Sequence, residues 1–291
     1  MKNFGRVLTA MVTPFNEDYT VNYVAAAKLA KYLVDNGSDG VVVAGSTGEA
    51  STMTHDEELK LFSTVLDAIG DRAVVIAGTG SNDTKTSIDH TGQAEKLGVH
   101  GAMLVGPYYN KPPQQGLYQH FKAIAESTSL PLLIYNIPGR CGTNILPETI
   151  IKLSELENVV AVKEASGSMD QVSEIIRNTN LYVYSGDDSL TLPILSVGGT
   201  GIISVAAHLV GKEMQEMVSA FLAGNIVKAQ EIHHKLTPLF KSLFVTTNPI
   251  PIKAAVNLIG LNAGPLRMPL VSLNDTQTEV LKKAMRKLAL I

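Results

Sequence analysis

The chain has 291 residues, 45% of them hydrophobic and 18% charged, with a formal net charge of −3. That composition suits a soluble globular protein with ample material for a core, and without a long basic run it argues against a nucleic-acid partner. The single cysteine, Cys141, excludes an intrachain disulfide and suits a reducing compartment; no apolar run nears the roughly 20 residues that span a bilayer, and "MKNFGRVLTAMVTPF" has no signal-like region, so a cytoplasmic protein is expected.

Short apolar runs alternate with amphipathic stretches along the chain. The strand candidates, in order, are "RVLTAMV", "DGVVVAG", "AVVIAG", "GAMLVG", "LPLLIYN", "VVAVKE", "LYVYSG" and "GIISVA". They are rich in Val, Ile and Leu with little polar alternation, as strands buried on both faces should be. Helices are predicted over Tyr23 to Asn36, Asp56 to Ile69, Asp83 to Leu97, Gln114 to Ser127, Pro147 to Leu156, Met169 to Asn178 and Ser189 to Ser196. Thr54 and Glu57 make a capping box for the second, and Ser81 and Asn82 are cap candidates for the third. From about Gly211 only helices follow, including "NPIPIKAAVNLIG" with prolines at its start. Eight strand–helix units predict an α/β fold, a closed (β/α)8 TIM barrel over residues 1–224. A small C-terminal helical domain takes 225–291. A doubly wound open sheet is the rival arrangement.

In such a barrel the chemistry lies at the C-terminal strand ends. Those ends carry "GSTGE", "GPYYNKPP", "YNIPGR", Lys163 and "SGDD". Lys163 ends an apolar strand. Either it snorkels to water, or it is a catalytic amine that forms a Schiff base with a ketone or aldehyde. The second role needs a neutral amine, a shift of about three pKa units, or roughly 4 kcal/mol, which desolvation can supply. Tyr135 could shuttle protons through Ser46 or Thr47, or be a strand tyrosine with a satisfied hydroxyl. Arg140, in a Pro-Gly loop, could grip a carboxylate with its planar fork, or simply be an exposed arginine. "GTGSND" lacks the last glycine of a dinucleotide fingerprint, which argues against NAD. The seven histidines show no metal-ligand spacing, so neither cofactor nor metal is expected. Cys141 has no partner base nearby in sequence.

The ordered set "GSTGEAST", "GTGSNDT", "GPYYNKPPQQG", "YNIPGRCG", "VVAVKEASG", "YSGDD", "GGTGIISV" and "NPIPIKAA" resembles the pyruvate-dependent class I aldolase family, which includes N-acetylneuraminate lyase. The likeness covers essentially the whole chain. It is strongest to the branch that condenses pyruvate with L-aspartate 4-semialdehyde towards diaminopimelate and lysine. The resemblance implies that Lys163 forms the imine with pyruvate. It implies that Tyr135 stands over that imine and that Ser46 and Tyr109 complete a hydroxyl relay, Tyr109 coming from a neighbouring subunit. Thr47 would bind the pyruvate carboxylate, with backbone help near Gly186 and Ile203, and Arg140 would receive the carboxylate of the semialdehyde. A homotetramer, a dimer of dimers, is the family expectation.

Two departures matter. Ser46 in "GSTGE" stands where that branch usually has threonine, a spelling typical of the lyases; "YNIPGR", against the lyases' "YNIPA", favours the small anionic acceptor. The second concerns lysine, which inhibits some members in a cleft between subunits. His55, Asn82 and Tyr108 fit that cleft. Thr86, however, stands where a carboxylate would hold the effector's amine, and Glu58 where a histidine would stand. Weak or absent lysine inhibition is therefore expected. Another aldolase of the family, acting on sialic acid or a sugar-derived keto acid, and a catalytically silent keto-acid-binding barrel are the alternatives.

Overall fold

The computed structural model describes residues 4–291. Eight strands, β1 (Val7–Ala10), β2 (Gly40–Val43), β3 (Val74–Gly78), β4 (Gly101–Val105), β5 (Leu132–Asn136), β6 (Val159–Glu164), β7 (Tyr182–Ser185) and β8 (Gly201–Ser204), close into a barrel in sequence order. Each pair is parallel, and β1 closes the ring on β8 through Val7–Ile202 to Thr9–Ser204. Every strand candidate holds one strand, and the open sheet is excluded.

The helices are α1 (Tyr23–Asp35), α2 (His55–Ile69), α3 (Thr84–Leu97), α4 (Gln114–Ala125), α5 (Pro138–Cys141), α6 (Pro147–Leu153), α7 (Met169–Asn178), α8 (Thr191–Ser196), α9 (Ala207–Leu222), α10 (Ile226–Ser242), α11 (Ile250–Leu258) and α12 (Asp275–Lys287). The capping box of Thr54 and Glu57 opens α2. The cap of α3 is Asp83, whose carboxylate accepts from the Thr86 N–H, rather than Ser81 or Asn82. The Ser81 hydroxyl is turned to the N–H of Asp83 instead.

The lack of polar alternation in the strands has a direct cause. Leu8, Val42, Ile76, Met103, Leu133, Ala161 and Ile203 fill the barrel interior, while Val7, Val41, Val43, Val75, Leu104, Leu132 and Val162 pack outward against the helices. The outer layer runs on without a break into Leu236, Leu239, Leu281 and Met285 of α10 and α12.

Register places the site. A shift in the β5–β6 pairing at Leu132/Leu133 sets Tyr135 opposite Lys163 and Asn136 opposite Glu164. Because strand side chains alternate faces, a one-residue slip would send Lys163 to the other face of the barrel wall.

Candidate active site at the barrel mouth

Lys163 is only 5% exposed. Its Nζ sits 4.1 Å from the centroid of the Tyr135 ring, and no carboxylate among the described residues lies within ion-pair range of it. Desolvation therefore wins and draws its pKa down to about 7, with Asp188 opposing and Arg140 adding to the fall. A large fraction of Lys163 is thus a neutral amine at neutral pH, as imine formation requires. Burial pushes the Tyr135 phenol far above its ordinary range, while Arg140 and a hydrogen bond with Ser46 work against that rise. The phenol stays protonated and can donate.

The turn after β2 presents Ser46 and Thr47. Ala44 and Glu49 adopt left-handed φ values of 52° and 57°, and the end of β3 packs closely against this turn. A Cβ at Gly78 would lie 2.3 Å from the Ala44 carbonyl oxygen, so only glycine fits there. Ser46 lines the cavity. Thr47 is buried, and its hydroxyl accepts from Asn248 Nδ2 at 2.9 Å. The main-chain oxygen of Asn248 accepts from Arg140 Nη2 at 2.7 Å. Asn248, just before α11, thus ties the two expected carboxylate-binding side chains together across the barrel mouth. Its own Oδ1 is buried without a partner.

Gly186 follows β7, and its backbone lies against the lysine: a Cβ there would meet Ala165 Cβ at 2.7 Å and Lys163 Cε at 3.2 Å. Ile203 lies in β8, in the interior cluster that holds Tyr135. Arg140 is exposed on the rim, in α5. Tyr109 is not brought to this site within one chain. It is 89% exposed, on a left-handed φ of 74°, outside the cavity lining.

Asp188, the last residue of "SGDD", carries no local pattern that marks it as part of the site. It is buried in the turn after β7 and accepts from Ser204 Oγ at 2.5 Å and from the Ala206 N–H at 3.0 Å, at the end of β8. Burial pushes its carboxyl up to about 6. Cys141 is buried, donates to the Gly106 carbonyl at 3.1 Å, and has its thiol pushed up to about 11 by burial.

A cavity of about 500 Å³ is lined by Ser46, Tyr135, Arg140 and Asn248, and also by His55, Glu58, Thr86 and Tyr108. Burial raises Glu58 to about 8 and lowers His90, beside it, to about 4. Histidines without metal spacing in sequence thus come together in space: His55, Glu58 and His90 present ligand atoms within 4.8 Å of one another.

A model of the dihydrodipicolinate synthetase family matches residues 3–288. A 4-hydroxy-tetrahydrodipicolinate synthase of Heliobacterium modesticaldum is 60% identical over 96% of this chain and 94% of its own. One of Desulforudis audaxviator is 57% identical over 99% of both chains. Among solved structures, DHDPS from Cyanidioschyzon merolae with lysine bound superposes with a TM-score of 0.98 at 48% identity, covering 99% of both chains. A monomeric dihydrodipicolinate synthase variant superposes at 0.96 with 42% identity, covering 99% of this chain and 98% of that one.

Proposed function

The chain belongs to the dihydrodipicolinate synthetase family, and from that premise we propose how its own residues carry the condensation of pyruvate with L-aspartate 4-semialdehyde. The activity is the 4-hydroxy-tetrahydrodipicolinate synthase reaction, a class I, Schiff-base lyase reaction of lysine and diaminopimelate biosynthesis. Neutral Lys163 attacks the pyruvate carbonyl carbon, and loss of water leaves the imine. Loss of a methyl proton gives the enamine, whose carbon adds to the aldehyde. The semialdehyde's own amine then displaces Lys163 and closes the ring. Tyr135, hydrogen-bonded to Ser46, moves the protons of these steps, and no external cofactor is needed.

Thr47 and the backbone at Gly186 and Ile203 hold the pyruvate carboxylate. Arg140 receives the acceptor's carboxylate, held at the rim by Asn248. Tyr109 joins the relay of a neighbouring subunit, its exposure leaving it able to reach across, in a cytoplasmic homotetramer. Residues 225–291 form the appended helical domain. Lysine inhibits weakly or not at all: Thr86 offers no charge to its amine, and Glu58 stands where the cleft would need a histidine.

The observation that carries this reading is a lysine buried without an ion pair at a strand end, directly over a buried tyrosine. Borohydride reduction in the presence of pyruvate should fix pyruvate to Lys163, and turnover should occur with the semialdehyde but not with N-acetylmannosamine or glyceraldehyde. Turnover with a sugar acceptor would transfer the assignment to the lyase side of the family. Strong inhibition by sub-millimolar lysine would defeat the prediction for the cleft.

A further inference from the structure

Three donor side chains from two neighbouring helices converge away from the lysine. His55 and Glu58 share one face of α2, and His90 reaches them from α3. Glu58 Oε2 lies 3.3 Å from His90 Nε2. Yet His90 Nε2 has no hydrogen-bond partner, and neither has His55 Nε2, although both atoms are buried. The pairing is therefore long and misaligned for a hydrogen bond. It matches another geometry. Two ligands bound about 2.0–2.1 Å from a tetrahedral ion stand about 3.3–3.4 Å apart. His90 is only 7% exposed, so water gives little access to its lone pair.

We propose that His55, Glu58 and His90 form a binding site for a divalent transition-metal ion of the Zn²⁺ class. Two imidazole nitrogens and one carboxylate oxygen favour Zn²⁺, Co²⁺ or Ni²⁺ over the oxygen-seeking Mg²⁺ and Ca²⁺. His55 is half-buried, so its ring can rotate to close the third bond while Glu58 and His90 stay in place. Three protein ligands leave a fourth position facing the cavity, open to water or an anionic group. That cavity is the one Ser46 and Tyr135 also line. The ion would share space with the proton relay while touching none of the groups assigned to the chemistry.

The test uses the full chain, stripped with EDTA and returned to chelator-free buffer. Calorimetry with Zn²⁺ should give one ion per chain, and Co²⁺ should develop the visible absorption of a tetrahedral centre. Affinity should fall at least tenfold in His90→Gln and in Glu58→Gln, whose near-constant volumes spare the packing, with circular dichroism checking the fold. His55→Ala, at the less buried position, should give the same loss if either of the others fails to fold. Absence of binding by the unmodified protein would overturn the site. So would binding that survives in all folded variants, which would place the ion elsewhere, for instance at the adjacent His233 and His234.

Discussion

Among the described residues two lysines are buried, and they lead opposite lives. Lys163 is 5% exposed and Lys253 is 1% exposed. Each rests on an aromatic ring, Tyr135 at 4.1 Å and Phe15 at 4.0 Å. The difference is the partner. Lys253 Nζ donates to Glu49 Oε1 at 2.6 Å, and the other oxygen of Glu49 accepts from the Arg267 N–H at 3.0 Å. Burial draws Lys253 down to about 8, but Glu49 opposes the fall, so it stays mostly a cation at neutral pH. Lys163 has no such partner and falls to about 7. Burial alone does not neutralise a lysine; burial without a counter-ion does.

The contrast can be tested from its largest expected effect downward. Lys163→Met should lower turnover by about four orders of magnitude or more and abolish the borohydride-trapped pyruvate adduct. Its effect on stability should run the other way. Between about 7 and the ordinary lysine pKa the folded state binds fewer protons than the unfolded one, so stability of the unmodified protein climbs with pH across that window. At neutral pH the lysine costs about 4 kcal/mol. The variant should therefore show a higher denaturant midpoint at pH 7, and the gap should close as pH rises past 10. A midpoint lower than that of the unmodified protein would break the contrast.

Lys253→Met should destabilise by about 3–5 kcal/mol, because it strands Glu49 in the interior. Pairing it with Glu49→Gln should restore much of the loss in the same denaturation experiment, and pyruvate should still be trapped at Lys163. Arg140→Ala should reduce kcat/KM for the semialdehyde about 10–100-fold, as expected for a lost charge-assisted contact of about 1.5–3 kcal/mol. Imine formation with pyruvate, followed separately, should persist. The smallest change is expected in Asp188→Asn. Removing the charge that holds Lys163 up should move the acid limb of the kcat/KM–pH profile to lower pH; an unmoved limb would show that Asp188 matters only as an acceptor for Ser204 and Ala206.

What could be read in advance follows a physical line. The strands were legible because both faces of each are apolar, and the places of Lys163, Tyr135 and Arg140 at the barrel mouth because each lies at or just past the end of such a run. The missed features join residues far apart in the chain. Asn248 touches Thr47, Lys253 touches Glu49, and His90 touches Glu58; no local pattern announces any of these pairs. Asp188 was visible as a residue, but its effect on Lys163 needs two strands in register. The cap of α3 was misplaced for a local reason: Ser81, Asn82 and Asp83 are all competent acceptors, and only the backbone decides which reaches Thr86.

Asn248 carries a consequence for anyone who would cut or fuse this chain. It stands beyond the last barrel strand, as do Lys253 and Arg267, yet its amide and carbonyl hold Thr47 and Arg140 at the opening. A fragment ending at residue 224 would keep every strand and still lose the brace of its own mouth. Transplanting the chemistry to a shorter scaffold would mean carrying the tail along or inventing a new brace for it.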